Sequence, residues 1–124
     1  MAKEIINQFN EILSSFLIQL IPLIGNKYSF KFEQIIKINS VLPIETFLVY
    51  ALPLRQKILD KDETYFTGNI DTNQSIDSDE FSITDILQLK DIFVNLDINS
   101  KDNVWGIFNA LLFVGEDYIK LKIN

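Results

Sequence analysis

Residues 3–20 read KEIINQFNEILSSFLIQL. Ile5, Ile6, Phe9, Ile12, Leu13, Phe16, Leu17 and Leu20 recur there at steps of three and four, the spacing that lines one face of a helix. Asn7, Asn10, Glu11 and Ser14 fall on the other side. Pro22 and Gly25 mark the end, because proline removes a backbone donor and glycine adopts the conformations that stop a helix. One amphipathic helix needs other apolar faces to cover it, so the question is what the rest of the chain supplies.

More helical spacing follows. In residues 28–38, Tyr28, Phe30 and Phe32 alternate like a strand, while Phe32, Ile35 and Ile36 step like a helix; a short helix is the preferred reading. Residues 42–60 read as a third helix with Ile44, Phe47, Leu48, Ala51 and Ile58 inward. Pro43 suits its first turn, and Pro53 predicts a kink or break inside it. Residues 61–66 extend this helix to a stop at Gly68. Turn formers and acids dominate residues 67–81, which are expected to form an acidic, mobile loop. Ser82 with Asp85 resembles a capping start for a helix over 83–96, with Ile86, Leu89, Phe93 and Leu96 inward. Asp97 to Asp102 reads as a turn. A last helix over about 101–121 is apolar nearly all round as far as Gly115, which predicts a central, well-covered element. The expected fold is all-α, a compact bundle of five or six helices in a single domain over residues 1–124.

Composition limits the chemistry. The chain of 124 residues is 48% hydrophobic and has neither His nor Cys. Disulfides, thiolate nucleophiles and thiolate metal sites are therefore ruled out. Acid–base catalysis near neutral pH would have to rest on a shifted carboxylate, Lys or Tyr. No phosphate loop, dinucleotide fingerprint or nucleophile elbow occurs in the sequence. The expectation is a protein that is not an enzyme and uses no cofactor. The uncharged run from Ile12 to Asn26 is too short to span a bilayer, and Glu4 and Glu11 spoil a basic leader. No membrane span and an intracellular location are expected. Asn73-Gln74-Ser75 is a formal glycosylation sequon that such a location would leave unused.

Charge is unevenly spread over a net −6. Residues 60–102 hold eleven acids against Lys61, Lys90 and Lys101, a balance of −8, whereas residues 1–57 balance at +2. A surface of this sign repels nucleic-acid phosphates and attracts basic proteins. Asp71, Asp77, Asp79 and Glu80 are the candidate partner-binding residues, with a basic protein as partner and no direct contact to nucleic acid. Asp71-x-Asn73-x-Ser75-x-Asp77 begins like a calcium loop, but Ile76 and Ser82 occupy the places that need Gly and Glu. Asp97-x-Asn99-x-Lys101 puts a cation where a ligand oxygen belongs. Asp60, Asp62 and Glu63 are dense enough to hold magnesium or to work as acid and base, but a solvated helix end paired with Lys57 and Lys61 is the simpler reading. Arg55, the only arginine, is expected in a surface pair or with its stem packed on apolar neighbours.

Two resemblances add to this reading. Trp105-Gly106-x-Phe108-x-Ala110-Leu111-x-Phe113-x-Gly115 resembles the tryptophan–glycine signature of the B-cell-lymphoma family of apoptosis regulators. That family is all-helical and captures an amphipathic partner helix in a groove. Ile107 stands where its arginine is expected, and Asn103 is displaced by one residue. The alternative reading is a core helix with a buried Trp and two glycines that allow close packing. The run from Leu54 to Phe66 resembles segments of small uncharacterised helical proteins of nucleocytoplasmic large DNA viruses. So do Leu89-Lys90-Asp91-Ile92-Phe93 and the later Asn103-Val104-Trp105-x-x-Phe108-x-x-Leu111. This second resemblance covers about residues 45–120. It implies a helical accessory or structural protein of the host cytoplasm, the nucleus or the virion, and it carries no catalytic residue across.

Polar chain with no apolar face to dock is the first to be cut. Limited proteolysis of the native protein is expected to begin within residues 67–81, and first cuts within 104–114 would show the domain map to be wrong.

Overall fold

The computed structural model describes residues 2–67 and 92–123. They form seven α-helical segments: α1 (Ala2–Gln19), α2 (Ile21–Ile24), α3 (Lys27–Ile38), α4 (Leu42–Ala51), α5 (Arg55–Leu59), α6 (Thr64–Thr67) and α7 (Ile98–Ile123). A 3₁₀ turn spans Phe93–Asn95. No strand occurs among the described residues, and the fold is the expected all-α single domain. The expected acidic loop, apart from Thr67, and residues 83–91 of the helix expected over 83–96 lie outside the described residues. Within the described part of that helix, Phe93–Asn95 is 3₁₀ and Leu96 is extended.

The stripe on α1 is buried as its spacing requires: Ile6, Phe9, Leu13, Phe16 and Leu17 all face inward. Asn10 departs from expectation. It is only 7% exposed, and its Nδ2 donates to the Ser40 carbonyl at 2.9 Å. The helical reading of residues 28–38 holds. Tyr28, Ser29 and Phe32 are buried, which leaves Phe30 on the opposite side, 61% exposed.

Proline sets the next boundaries. Pro43 sits in the first turn of α4, while Pro53 falls between α4 and α5 and separates them. Residues 61–66 do not simply extend α5. Lys61 takes a left-handed φ of 57°, and the Asp62 N–H turns back to the Lys57 carbonyl at 2.8 Å. The Asp62 carboxylate then accepts from the Thr64 N–H at 3.0 Å and the Thr64 hydroxyl at 2.7 Å, which starts α6 afresh. Asp97–Asp102 is likewise not a free turn. Asp97 accepts from the Ser100 N–H at 2.7 Å and caps α7, so that helix begins at Ile98. In both places an acid, one read as part of a solvated helix end and one as part of a turn, satisfies orphan donors at a helix start.

The longest helix, α7, packs antiparallel to α1, with Asn103 near its start beside Gln19 at the end of α1. Phe108 on α7 is fully buried among Phe16, Phe47, Tyr65 and Phe66. Phe66 also stacks on Phe93, with centroids 4.4 Å apart, and tilts against Trp105 at 5.1 Å. Short α6 and the 3₁₀ turn are thus fastened to α7 by rings, each pair worth about 0.5–1.5 kcal/mol beyond its area. Coverage of α7 is less complete than its composition suggests, because Gly106 and Phe113 lie on a solvent face.

Only one of its glycines permits close packing. A Cβ at Gly115 would meet Leu48 Cδ2 at 2.7 Å, whereas one at Gly106 would meet nothing within 4 Å. Gly106→Ala is expected to stabilise the protein by about 1 kcal/mol through helix propensity alone. Gly115→Val is expected to destabilise it by about 1–3 kcal/mol through overpacking against Leu48. Trp105 is 3% exposed, and Trp105→Ala should cost about 3–5 kcal/mol. Urea denaturation of the three variants checks both signs, and a near-neutral Trp105→Ala would count against this core.

Candidate functional site

Asp71, Asp77, Asp79 and Glu80 lie outside the described residues. The described residues do include both ends of the acidic stretch, residues 60–63 and 97–102. Lys101 Nζ lies 3.4 Å from Glu63 Oε2, and Lys61 Nζ lies 3.9 Å from Asp102 Oδ1. The cause lies in the core. Phe66 is packed on Trp105 and Phe108, so the chain just before it lies beside the first turn of α7. Lys101 also sits over the Phe93 ring, 5.3 Å from its centroid. Asp60, Asp62, Glu63, Asp97 and Asp102 against Lys61 and Lys101 give this pole a balance of −3.

Hydrogen bonding favours the charged form of two of these acids. The Thr64 hydroxyl, and then the Thr64 N–H, hold Asp62 below the ordinary carboxylate range. The Ser100 N–H does the same for Asp97. The group at 60–63 is splayed. Asp60 accepts from Gln56 Nε2 at 3.0 Å, Asp62 caps α6, and Glu63 pairs with Lys101. Among the described residues no group of three or more carboxylates could hold a metal ion. Of the expected pairings, the Lys57 charge does help to lower the Asp62 carboxyl, while Lys57 Nζ donates to the Thr64 hydroxyl at 2.9 Å and Lys61 reaches across to Asp102. Lys57 meets Thr64 because the chain turns back between α5 and α6, and Lys61 meets Asp102 because the Phe66 packing sets this segment beside the first turn of α7.

A second polar feature is a shallow cleft of about 660 Å³ between α1 and the end of α3. Asn7, Asn10, Glu11, Ser14, Lys37 and Ser40 are among its lining residues. Asn10 ties the α3–α4 connection to α1 through Nδ2, and its buried Oδ1 has no hydrogen-bond partner. A signal for its burial was present. Asn10 stands four residues after Ile6 and three before Leu13, on the row that faces the core.

Arg55 forms the expected surface pair, with Nε 2.7 Å from Glu116 Oε2. At the far end of α7, Glu45 accepts from the Tyr118 hydroxyl at 2.9 Å and pairs with Lys122 at 3.3 Å. Trp105 and Gly106 fall in mid-helix, the indole against Phe66 and Phe93 and the glycine facing solvent. Among the described residues no helix is long and apolar enough to cross a membrane. No protein family, curated protein or solved structure matches the chain.

The Tyr118 hydroxyl, and then Lys122, lower the Glu45 carboxyl below its ordinary value of 4.5. A carboxyl depressed by folding contributes stability above its unfolded value and loses it as the pH falls through the folded value. Tyr118→Phe is expected to flatten the loss of stability below about pH 5, followed by urea titration at several pH values. An unchanged acid limb would mean that the Tyr118–Glu45 bond contributes nothing.

Proposed function

We propose that this chain is a non-enzymatic helical interaction protein whose acidic pole receives a basic segment of another protein. The observation that carries this reading is the convergence of residues 60–63 and 97–102, 38 positions apart at Glu63 and Lys101, on one surface. Both ends of the −8 stretch are thereby gathered at one end of the bundle, and a basic partner meets their field as one patch. Asp60, Asp62, Glu63, Asp97 and Asp102 are all exposed. Asp71, Asp77, Asp79 and Glu80 are the partner-binding residues in this proposal, lying between the two ends in sequence. The resemblance of residues 45–120 to viral helical proteins supports an accessory or structural role in an infected cell or a virion.

Charge-driven recognition acts mainly on the rate of encounter and is screened by salt over about 10 Å at 0.1 M. Association with a Lys- and Arg-rich peptide is expected to be fast at low salt and to weaken steadily as salt rises. Asp77→Asn, Asp79→Asn and Glu80→Gln together should slow association and leave the far-ultraviolet spectrum unchanged. Salt-insensitive capture of an amphipathic helix would favour the apoptosis-regulator resemblance instead. Binding to naked DNA at physiological salt would contradict both, since an acidic surface cannot neutralise phosphate.

A further inference from the structure

A surface of opposite sign lies on α3. Tyr28, Ser29 and Phe32 turn that helix inward, so the residues on its far side face solvent. There Phe30, Gln34 and Ile38 follow one another at four-residue steps and form a single row along the helix. Phe30 is 61% and Ile38 88% exposed, the latter the most exposed large apolar side chain described. At about 100° per residue, Lys31 flanks the row on one side and Lys37 on the other. Neither lysine makes an ion pair among the described residues. A shallow cleft of about 500 Å³ lies on this face, lined by Lys31, Gln34, Ile35, Lys37 and Ile38.

We propose that the solvent face of α3 is a docking ridge for an acidic amphipathic helix of a partner protein. Rows at four-residue steps are the ridges along which helices most often pack. Lys31 and Lys37 occupy the flanking places from which e and g residues of coiled coils select a partner of opposite charge. Phe30 and Ile38 lie about 12 Å apart along the axis, so about three turns of the partner suffice. Gln34, polar in the middle of the row, favours one register, as a single polar core position does in coiled coils. Two other occupants fit less well. A second copy packed by this face would set Lys31 and Lys37 against the same lysines of its twin. An anionic membrane is drawn to clusters of about four to eight basic residues with an unbroken apolar face, and this row has fewer lysines and is broken by Gln34. The ridge is independent of the acidic pole, so the two can engage different partners.

The test uses the full chain and two labelled helical peptides of about 15 residues, long enough to cover the row. Both carry a Leu row, one with Glu flanks and the other with Lys flanks. At residues 30–38, read from the amide shift titration of those residues so that any binding of the Lys peptide to the acidic pole is kept apart, the Glu peptide is expected to bind at least about tenfold more tightly, a difference of about 1.4 kcal/mol. Lys31→Glu with Lys37→Glu should reverse the preference, and Phe30→Ser with Ile38→Ser should weaken both peptides. In the unsubstituted protein, which needs no variant to fold, amide shift changes on adding the Glu peptide should cluster on residues 30–38. Equal binding of the two peptides at residues 30–38, a preference there unchanged by charge reversal, or shift changes on adding the Glu peptide confined to residues 60–63 and 97–102 would overturn the proposal. So would protection of residues 30–38 by phosphatidylserine vesicles without peptide binding, or by concentration-dependent self-association.

Discussion

Four rings surround Phe108, and they come from three other helices: Phe16 on α1, Phe47 on α4, and Tyr65 and Phe66 on α6. α6 is a single turn, too short to hold together alone, because helix nucleation is costly and a few residues cannot repay it. It exists because Tyr65 and Phe66 are buried against α7. The position of residues 60–63 follows from that burial. Lys101 can reach Glu63 only because the aromatic cluster has already brought the two segments together. The electrostatics of the pole are therefore a consequence of apolar packing. The exposed pairs themselves each contribute at most about 1 kcal/mol.

Much of this fold can be read from the sequence. The three- and four-residue steps of α1 predict its buried face, Ile44, Phe47, Leu48, Ala51 and Ile58 are buried as expected, and Pro53 breaks the chain between two helices. What the pattern misses is polar. Asp62 and Asp97 are turn formers by composition, and whether such a residue ends a helix or starts one depends on which N–H its carboxylate meets. Asn10 occupies a core row but is polar, and its burial depends on the Ser40 carbonyl, thirty residues away. Phe30 shares a face with Tyr28 and Phe32 on the strand-like reading of this segment, yet the helix puts it on the side opposite to them. The exposed row on α3 exists only when residues 28–38 are helical, because a strand would set Phe30, Gln34 and Ile38 on the same face as Tyr28 and Phe32. Asp71, Asp77, Asp79 and Glu80 rest on the charge pattern alone.

The charge pattern divides the molecule into two kinds of surface. At the pole, acids and lysines alternate and cross-pair, so the net field is what remains after pairing. On α3 the lysines are set beside apolar side chains, and specificity there depends on shape as well as sign. Fields act at a distance and accelerate encounter, whereas an apolar ridge acts only at contact and slows dissociation.

The antiparallel pairing of α1 with α7 also bears on biosynthesis. The apolar stripe of α1 leaves the ribosome early, but its main cover, Val104 to Tyr118, is made about a hundred residues later. At roughly 5–20 residues per second that delay lasts on the order of 5–20 s. During it Phe9, Leu13, Phe16 and Leu17 have α3 and α4 to pack against but not α7. In that interval the stripe is incompletely covered apolar surface of the kind prone to association, and the native core closes only after α7 has emerged.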